Sequence, residues 1–292
     1  MLRLVLPKGS LEQNTLRLFE EADLPVRRGG ERDYDARIDD PRVCAVKILR
    51  PQEIPVYVAR GYFDLGIAGL DWIEETGSDV VEVMDLGYNK VSLGRSVKIV
   101  LAVPEESGVA KPSELKPGTR VSTEYPRLCR RYFERLRIPV DVMPSYGATE
   151  SKVPEIADCI VDVTETGASL RANRMRIIDT LLESRTKLIA NRESYADQVK
   201  RQAMNELSTL LGGVLAARGK VLLKLNVSEE RLQEVIDVMP AMKTPTVSRL
   251  FGSGYYAVEA VAVKSEINLL IPELKRRGAE DILELPISKI VP

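Results

Sequence analysis

Short apolar runs alternate with amphipathic stretches along the chain, and glycines and prolines separate them. Leu2–Leu6 is a continuous apolar run that stops at Pro7-Lys8-Gly9-Ser10, the pattern of a buried strand feeding a turn. Ser10 is placed to cap a helix through about Ala22, with Leu11, Thr15, Leu18 and Phe19 on one face. Ala45–Leu49 reads as a strand. Pro51 suits the first turn of a helix carrying Ile54, Val58 and Ala59, which Gly61 ends. Asp64–Gly69 is a strand with glycines at its carboxyl end, and Leu70–Glu75 opens another helix. A second block repeats the pattern: Val97–Val103, Thr119–Ser122, Val140–Pro144 and Asp158–Val163 as strands, Pro126–Leu136 and Ala168–Asn173 as helical. Strands alternating with short helices predict a parallel α/β sheet in each block. Ile177–Leu182 and Lys187–Ala190 read as extended, with the chain returning to the first block there. Two α/β lobes follow, residues 1–95 with 180–215 and residues 96–179, with a ligand crevice at the carboxyl ends of their strands.

Glu193–Ala217 has helical spacing, and after it the pattern changes. Lys220–Val227 is a strand, and Ser228 caps a helix to about Val238. Thr246–Phe251 and Tyr255–Val263 form a hairpin around Gly252-Ser253-Gly254. Glu266–Arg277 is a helix and Asp281–Ile287 a last strand. The order βαββαβ is ferredoxin-like, and residues 216–292 are read as a third domain. Both faces of Tyr255–Val263 are largely apolar. One face packs on the domain's own helices; the other calls for a partner, most simply a second copy of the chain.

Composition narrows the chemistry. The 292 residues carry 42 basic and 43 acidic side chains, a net charge of −1, which argues against a nucleic-acid partner. There is no histidine at all, which excludes Ser-His-Asp triads, Cys-His nucleophiles and zinc-protease helices. Carboxylates, Lys and Arg, hydroxyls, backbone amides, a hard metal ion or the substrate itself must do the work. Cys44, Cys129 and Cys159 are scattered, so neither a disulfide framework nor a zinc site is expected, and reduced thiols fit a cytoplasmic protein. The apolar stretch before Lys8 is too short for a signal peptide, and no run is long enough to span a membrane.

Five polar, glycine-bearing segments fall at strand ends. In Asp162–Ser169 a buried strand runs into a helix start. The amides of Thr166, Gly167, Ala168 and Ser169 and two hydroxyls suit a phosphate there. Asp162 and Glu165 beside them suit ribose hydroxyls or a metal ion; the alternative is an ordinary capped helix. Lys8-Gly9-Ser10 offers an ammonium and turn amides, or simply starts a helix. Asp64–Asp71 marks a close ligand approach, or tight strand–helix packing. Ser122–Pro126, followed by Arg127, Arg130 and Arg131, suits a phosphate, or is a solvated helix face. Tyr146–Glu150 places a carboxylate for a ribose, or only begins a helix.

These segments, with Arg50–Pro55, Arg120–Pro126 and the Asp162–Asn173 block, resemble the ATP phosphoribosyltransferase family over essentially the whole chain. The C-terminal part, with Pro240, Pro245-Thr246-Val247 and Gly278–Leu283, resembles the regulatory module of the family's long form. The resemblance implies two lobes of the type II periplasmic-binding-protein kind and a C-terminal ACT-like domain. It implies transfer of phosphoribosyl from phosphoribosyl pyrophosphate (PRPP) to N1 of the adenine of ATP, with Mg²⁺ held mainly by substrate phosphates. By the same resemblance Lys8, Glu150 and Asp162 are catalytic. Asp162, Thr164, Glu165, Thr166, Gly167, Ala168 and Ser169 bind PRPP, and Lys8, Gly9, Ser10 and Asp71 meet the nucleotide. Lys224, Thr246, Ser248 and Ala279 belong to a histidine-sensing site in a hexamer. Two positions depart from the family pattern: many members have Arg where this chain has Ser10, and some carry an acidic residue near Lys224. The main rival is a two-lobed small-molecule or nucleotide-binding protein without catalysis. An amino-acid-responsive regulator and another nucleotide-using transferase on the same scaffold are further rivals.

Overall fold

A computed structural model describes residues 1–30, 33–88, 96–240, 242 and 244–292. The chain divides into two compact units, Met1–Ser208 and Thr209–Pro292. In the first unit, β1 (Leu2–Pro7), β2 (Val26–Arg27), β3 (Asp35–Ile38), β4 (Val43–Leu49), β5 (Leu65–Gly69) and β6 (Val81–Asp85) alternate with three helices. These are α1 (Glu12–Glu21), α2 (Ile54–Ala59) and α3 (Leu70–Thr76). The second lobe follows with β7 (Val97–Pro104), β8 (Thr119–Thr123), α4 (Pro126–Leu136), β9 (Val140–Pro144), β10 (Cys159–Thr164), α5 (Ala168–Ala172) and β11 (Met175–Ser184). Then β12 (Thr186–Ala190) re-enters the first sheet, and α6 (Arg192–Ala196) and α7 (Gln198–Ala217) lead out.

The two sheets share one plan. In the first, β4, β1 and β5 are parallel, β12 lies antiparallel beside β5, and β6 follows it. In the second, β9, β8 and β10 are parallel, β7 lies antiparallel beside β10, and β11 follows it. Each lobe therefore takes its antiparallel strand at a crossing between lobes. That is the arrangement expected of the type II periplasmic-binding-protein kind, although the sheets are mixed and not purely parallel. The central strands read as unbroken apolar runs because helices cover both faces: Leu4, Val5 and Leu6 are buried, as are Ile160 and Val161.

Two local expectations change. The return crossing comes at Arg185, later than residue 180, because β11 pairs with β7 along its length to Ser184. Ser10 does not cap α1; Leu11 occupies that position, and the Gly9 N–H donates to Glu12 Oε2 at 3.1 Å. The division between the compact units falls inside α7, between Ser208 and Thr209.

The second unit contains β13 (Lys220–Ser228), α8 (Leu232–Ile236), β14 (Thr246–Arg249), β15 (Tyr255–Val263), α9 (Ile267–Arg276) and β16 (Glu280–Pro286). Its sheet runs β14-β15-β13-β16, all antiparallel, the ferredoxin-like order. Leu223, Leu225, Val227, Val258 and Ala260 pack with Val235, Ile267 and Leu274 in its core. α8 is shorter than the sequence suggested, because Glu229–Arg231 form a 3-10 turn ahead of it.

Candidate active site

A cleft opens at the carboxyl ends of the parallel strands of both lobes. Ser10, Pro51, Gly69 and Asp71 line it from the first lobe, and Glu124, Tyr125 and Val163 from the second.

On the second wall β10 ends at Thr164 and turns through Glu165-Thr166-Gly167 into α5. Gly167 is the helix cap, with φ +74°, in the left-handed region that glycine enters freely. A Cβ there would lie 2.8 Å from Arg171 Nη1 and 3.4 Å from Ile177 Cδ1. The loop is tied by its own hydroxyls: the Gly167 N–H donates to Thr164 Oγ1 at 2.9 Å and the Ala168 N–H to Thr166 Oγ1 at 3.3 Å. Asp162 accepts the Val163 N–H at 2.7 Å. Glu150 joins the loop from the segment after β9, where Oε1 accepts from the Ser169 hydroxyl at 2.6 Å. Behind it the buried hydroxyls of Ser145 and Thr149 meet at 3.0 Å, and Lys152 donates to Ser145. Glu150 is thus brought to the contiguous run of Asp162, Thr164, Glu165, Thr166, Gly167, Ala168 and Ser169, of which the neighbouring Val163 lines the cleft.

On the first wall the Lys8 N–H donates to Leu49 O at 2.7 Å, tying the end of β1 to β4, and Lys8 Nζ lies 4.3 Å from the centre of the Tyr34 ring. Gly9 has φ +86°, and a Cβ on it would meet no atom within 4 Å, so the turn is exposed on that side. Asp71 lies at the cleft but is only 7% exposed. Its Oδ1 accepts from Ser184 Oγ at 2.6 Å and its Oδ2 from the Tyr125 hydroxyl at 3.0 Å. Burial raises the pKa of this carboxyl and pushes the Tyr125 hydroxyl well above its ordinary value.

The segment after β8 differs from the phosphate reading. The N–H groups of Arg127 and Leu128, the first that α4 has after Pro126, donate to Glu75 Oε1 and Oε2 at 3.0 and 2.8 Å. Arg131 pairs with Glu74 at 2.6 Å. The helix start that suited an anion already holds a carboxylate from α3. Glu75 and Ser184 escaped the sequence reading because their partners lie 53 and 113 residues away, beyond any local motif.

In the second unit Lys224 pairs with Glu259 Oε1 at 2.8 Å. Thr246 stands opposite Glu259, and Ser248 opposite Ala257, on the neighbouring strand. Ala279 is buried in the core on the helix side of the sheet, apart from the open face.

Residues 50–213 match the family model described as ATP phosphoribosyltransferase, and residues 217–289 match the model of the C-terminal domain of the same family. A curated ATP phosphoribosyltransferase of Desulforudis audaxviator is 47% identical over 293 aligned residues, covering 100% of this chain and 99% of that one. Another, from Pelotomaculum thermopropionicum, is 46% identical with the same coverage. Among solved structures, a chain of the ATP phosphoribosyl transferase (HisG:HisZ) complex from Thermotoga maritima is similar with a TM-score of 0.62 and 26% identity. That match covers 72% of this chain and 96% of that chain. On the full-length identity and the two matching domains together, the chain belongs to the ATP phosphoribosyltransferase family, pentosyltransferases of histidine biosynthesis.

Proposed function

We propose that the loop Thr164–Ser169 holds the 5-phosphate of PRPP, with Asp162 and Glu150 beside the ribose, and that Lys8, Gly9 and Ser10 face the nucleotide. The observation that carries this reading is that Ser10, of the first segment, and Val163, beside the second, line one cleft from opposite lobes. Two anionic substrates brought to opposite walls meet where the strands end. As pyrophosphate leaves C1, the ribose gains oxocarbenium character and adenine N1 attacks it directly, so no histidine nucleophile is needed. Loop hydroxyls and the Lys8 ammonium supply the hydrogen bonds and positive charge that steady the phosphates.

Asp162, Glu165 and Glu150 offer oxygen donors only, which suits a hard cation such as Mg²⁺. Among the described residues no group of three or more His, Cys, Asp or Glu is gathered for a metal, so the proposal assigns the ion mainly to the substrate's phosphates. Bound there, Mg²⁺ supplies charge neutralisation for the departing pyrophosphate. The place of Asp71 changes in this reading. Because both its oxygens have protein partners, it shapes the wall rather than binding the nucleotide.

The second unit is proposed as the regulatory and assembly module. Leu283 and Leu285 are exposed on the open face of its sheet, and Leu222 and Val261 line up across from Leu285. The reading places a second copy there, in a hexamer inhibited by histidine around Lys224, Thr246 and Ser248. The Lys224–Glu259 pair gives that site a cation where some members carry an acid. Among the described residues no helix is long and apolar enough to cross a membrane, and a cytoplasmic enzyme is proposed.

The test is incubation with ATP, PRPP, Mg²⁺ and a pyrophosphatase while following the ultraviolet change that accompanies alkylation of adenine N1. Product should form and a chelator should stop it; no product would sink the reading and leave a binding protein in its place. For the second unit, light scattering and a histidine titration compare the full chain with one ending near residue 215. Loss of both the large oligomer and the inhibition is expected, and their persistence would remove the regulatory assignment.

A further inference from the structure

α3 belongs to the first lobe by chain order, since it joins β5 to β6 of the first sheet. Its contacts run the other way. Trp72 packs against the apolar core of the second lobe, with its ring centre 4.8 Å from that of Tyr125. Glu74 pairs with Arg131 at 2.6 Å, and the Thr76 carbonyl accepts from Arg127 Nη1 at 2.7 Å. Glu75 takes both available N–H groups at the start of α4. At the other end of the helix, Asp71 binds Ser184 and Tyr125, and the Leu70 N–H donates to Arg185 O at 3.0 Å, at the return crossing itself. Contacts along the whole length of α3, from Asp71 to Thr76, therefore bind one short helix of the first lobe to β11, the β8–α4 corner and α4 of the second.

The Glu75 contact is the one whose role is hardest to assign to local stability. A carboxylate at a helix start satisfies orphan amides and meets the positive end of the helix dipole. A residue of α4's own lobe, at the capping position, would have done the same. Here Tyr125 stands at that position with no side-chain cap, and the acid comes from across the cleft. Gly77 just beyond takes φ +59°, in the left-handed region, and a Cβ on it would lie 2.3 Å from Arg127 Nη1, so a larger residue there would be strained and would make the Arg127 side chain shift. Tyr125 and Asp71, inside the fastening, are also cleft-lining residues. The distance between the two walls is thereby coupled to how α3 sits on α4.

We propose that α3 is an inter-lobe fastener and that Glu75 is a positioning residue for phosphoribosyl transfer, setting the spacing of the two cleft walls without touching either substrate. The inference rests on the assignment of PRPP to the second lobe and the nucleotide to the first. Each substrate alone then needs one wall, but the attack of N1 on C1 needs both at fixed spacing. Loosening the fastener lowers turnover and leaves the binding of PRPP alone unchanged.

The test compares the parent with Glu75→Ala, Glu75→Gln and Arg131→Ala, measuring kcat and, separately, the Kd for PRPP with Mg²⁺ in the absence of ATP. Glu75→Ala is expected to lower kcat about tenfold or more, since small misplacements of reacting groups cost that much. Glu75→Gln, which keeps one acceptor oxygen, falls between, and Kd for PRPP stays within about twofold of the parent for all three, far less than the tenfold that misplacement costs. If Glu75→Ala does not fold, the same comparison is made on Glu75→Gln and Arg131→Ala. Unchanged kcat in the folded variants overturns the proposal, as does a Kd that weakens in step with kcat. Failure of the underlying site assignment shows itself differently, as a Gly167→Val protein that still binds PRPP.

Discussion

The two lobes of the first unit are built on one plan and bracketed by one device, yet they differ in what they expose. In the first lobe Arg3, on β1, receives Asp64 from just before β5. The Arg3 N–H and Nε both donate to Asp64 Oδ2, at 2.8 and 3.3 Å, and the Asp64 N–H returns to Arg3 O at 2.9 Å. In the second lobe Arg120, on β8, receives Asp158 from just before β10 with the same atoms at the same distances, 2.8, 3.3 and 2.9 Å. The bracket pins the amino ends of the first and third parallel strands, at the end of each sheet away from the cleft. Burial separates the two: the Asp64 side chain is 1% exposed and also holds Lys200 and Ser194, whereas that of Asp158 is 47% exposed. At the carboxyl ends the lobes diverge further. The first offers Lys8 and an open glycine turn; the second offers a hydroxyl- and acid-bearing loop around Gly167. A repeated scaffold thus presents two different surfaces at its carboxyl strand ends while the framework that spaces them is kept, and the proposed reading gives each surface its own substrate.

The sharpest way to break this division is at the second lobe's loop. Gly167→Val forces a branched side chain into the left-handed region and against Arg171, so the loop cannot keep its cradle. PRPP binding, followed by calorimetry, should be lost while the circular dichroism and ATP binding remain. A variant that binds PRPP like the parent would remove the loop from the site.

A smaller effect is expected on the first wall. Lys8→Ala removes the cation that lies over the Tyr34 ring, so kcat/KM for ATP should fall about tenfold to a hundredfold, the worth of one charge-assisted hydrogen bond. Kd for PRPP alone should hold. If Lys8→Ala weakens PRPP as strongly as ATP, Lys8 faces the pyrophosphate and the two walls are not divided by substrate.

How much of this was legible follows from range. Leu2–Pro7, Leu65–Gly69 and Val97–Pro104 were readable as apolar runs that end at Gly or Pro, and the loop at Asp162–Ser169 because its signal is local; Val26–Arg27, Asp35–Ile38 and Val81–Asp85 carry no such run and were not read as strands. The mixed direction of β7 and β12 was not readable, since a buried strand looks alike in either direction. Ser10 looked like a cap because its type suits the position, but the turn at Gly9 carries the chain one residue further before α1 begins. The anion reading of Pro126–Arg131 failed because helix-start amides are satisfied as well by a protein carboxylate as by a phosphate. Only the tertiary fold showed that Glu75 was there. The partners of Asp71 were beyond local reading for the same reason: Tyr125 and Ser184 come from the other lobe.

The matched brackets allow one last, finer test. The folded-state pKa of Asp64 is lowered: burial alone would raise it, but the hydrogen bonds and charges of Lys200 and Arg3 outweigh that penalty. Asp158 is lowered too, chiefly by its hydrogen bonds to Arg120. A depressed carboxyl contributes stability that is fully present above its unfolded pKa, near ~4, and is lost as pH falls through the folded value. Asp64→Asn should cost about 2 kcal/mol near neutral pH. That is less than for a fully buried pair, because Arg3 and Lys200 still reach water. Asp158→Asn should shift the melting midpoint far less, since solvent screens an exposed pair. Melting curves of parent and both variants from about pH 7 to about pH 3 read this directly, because the gap between parent and Asp64→Asn should narrow as the acid side is approached. Equal losses from the two variants would mean that the strand bracket itself, and not the burial of Asp64 with Lys200 and Ser194, sets the stability of each lobe.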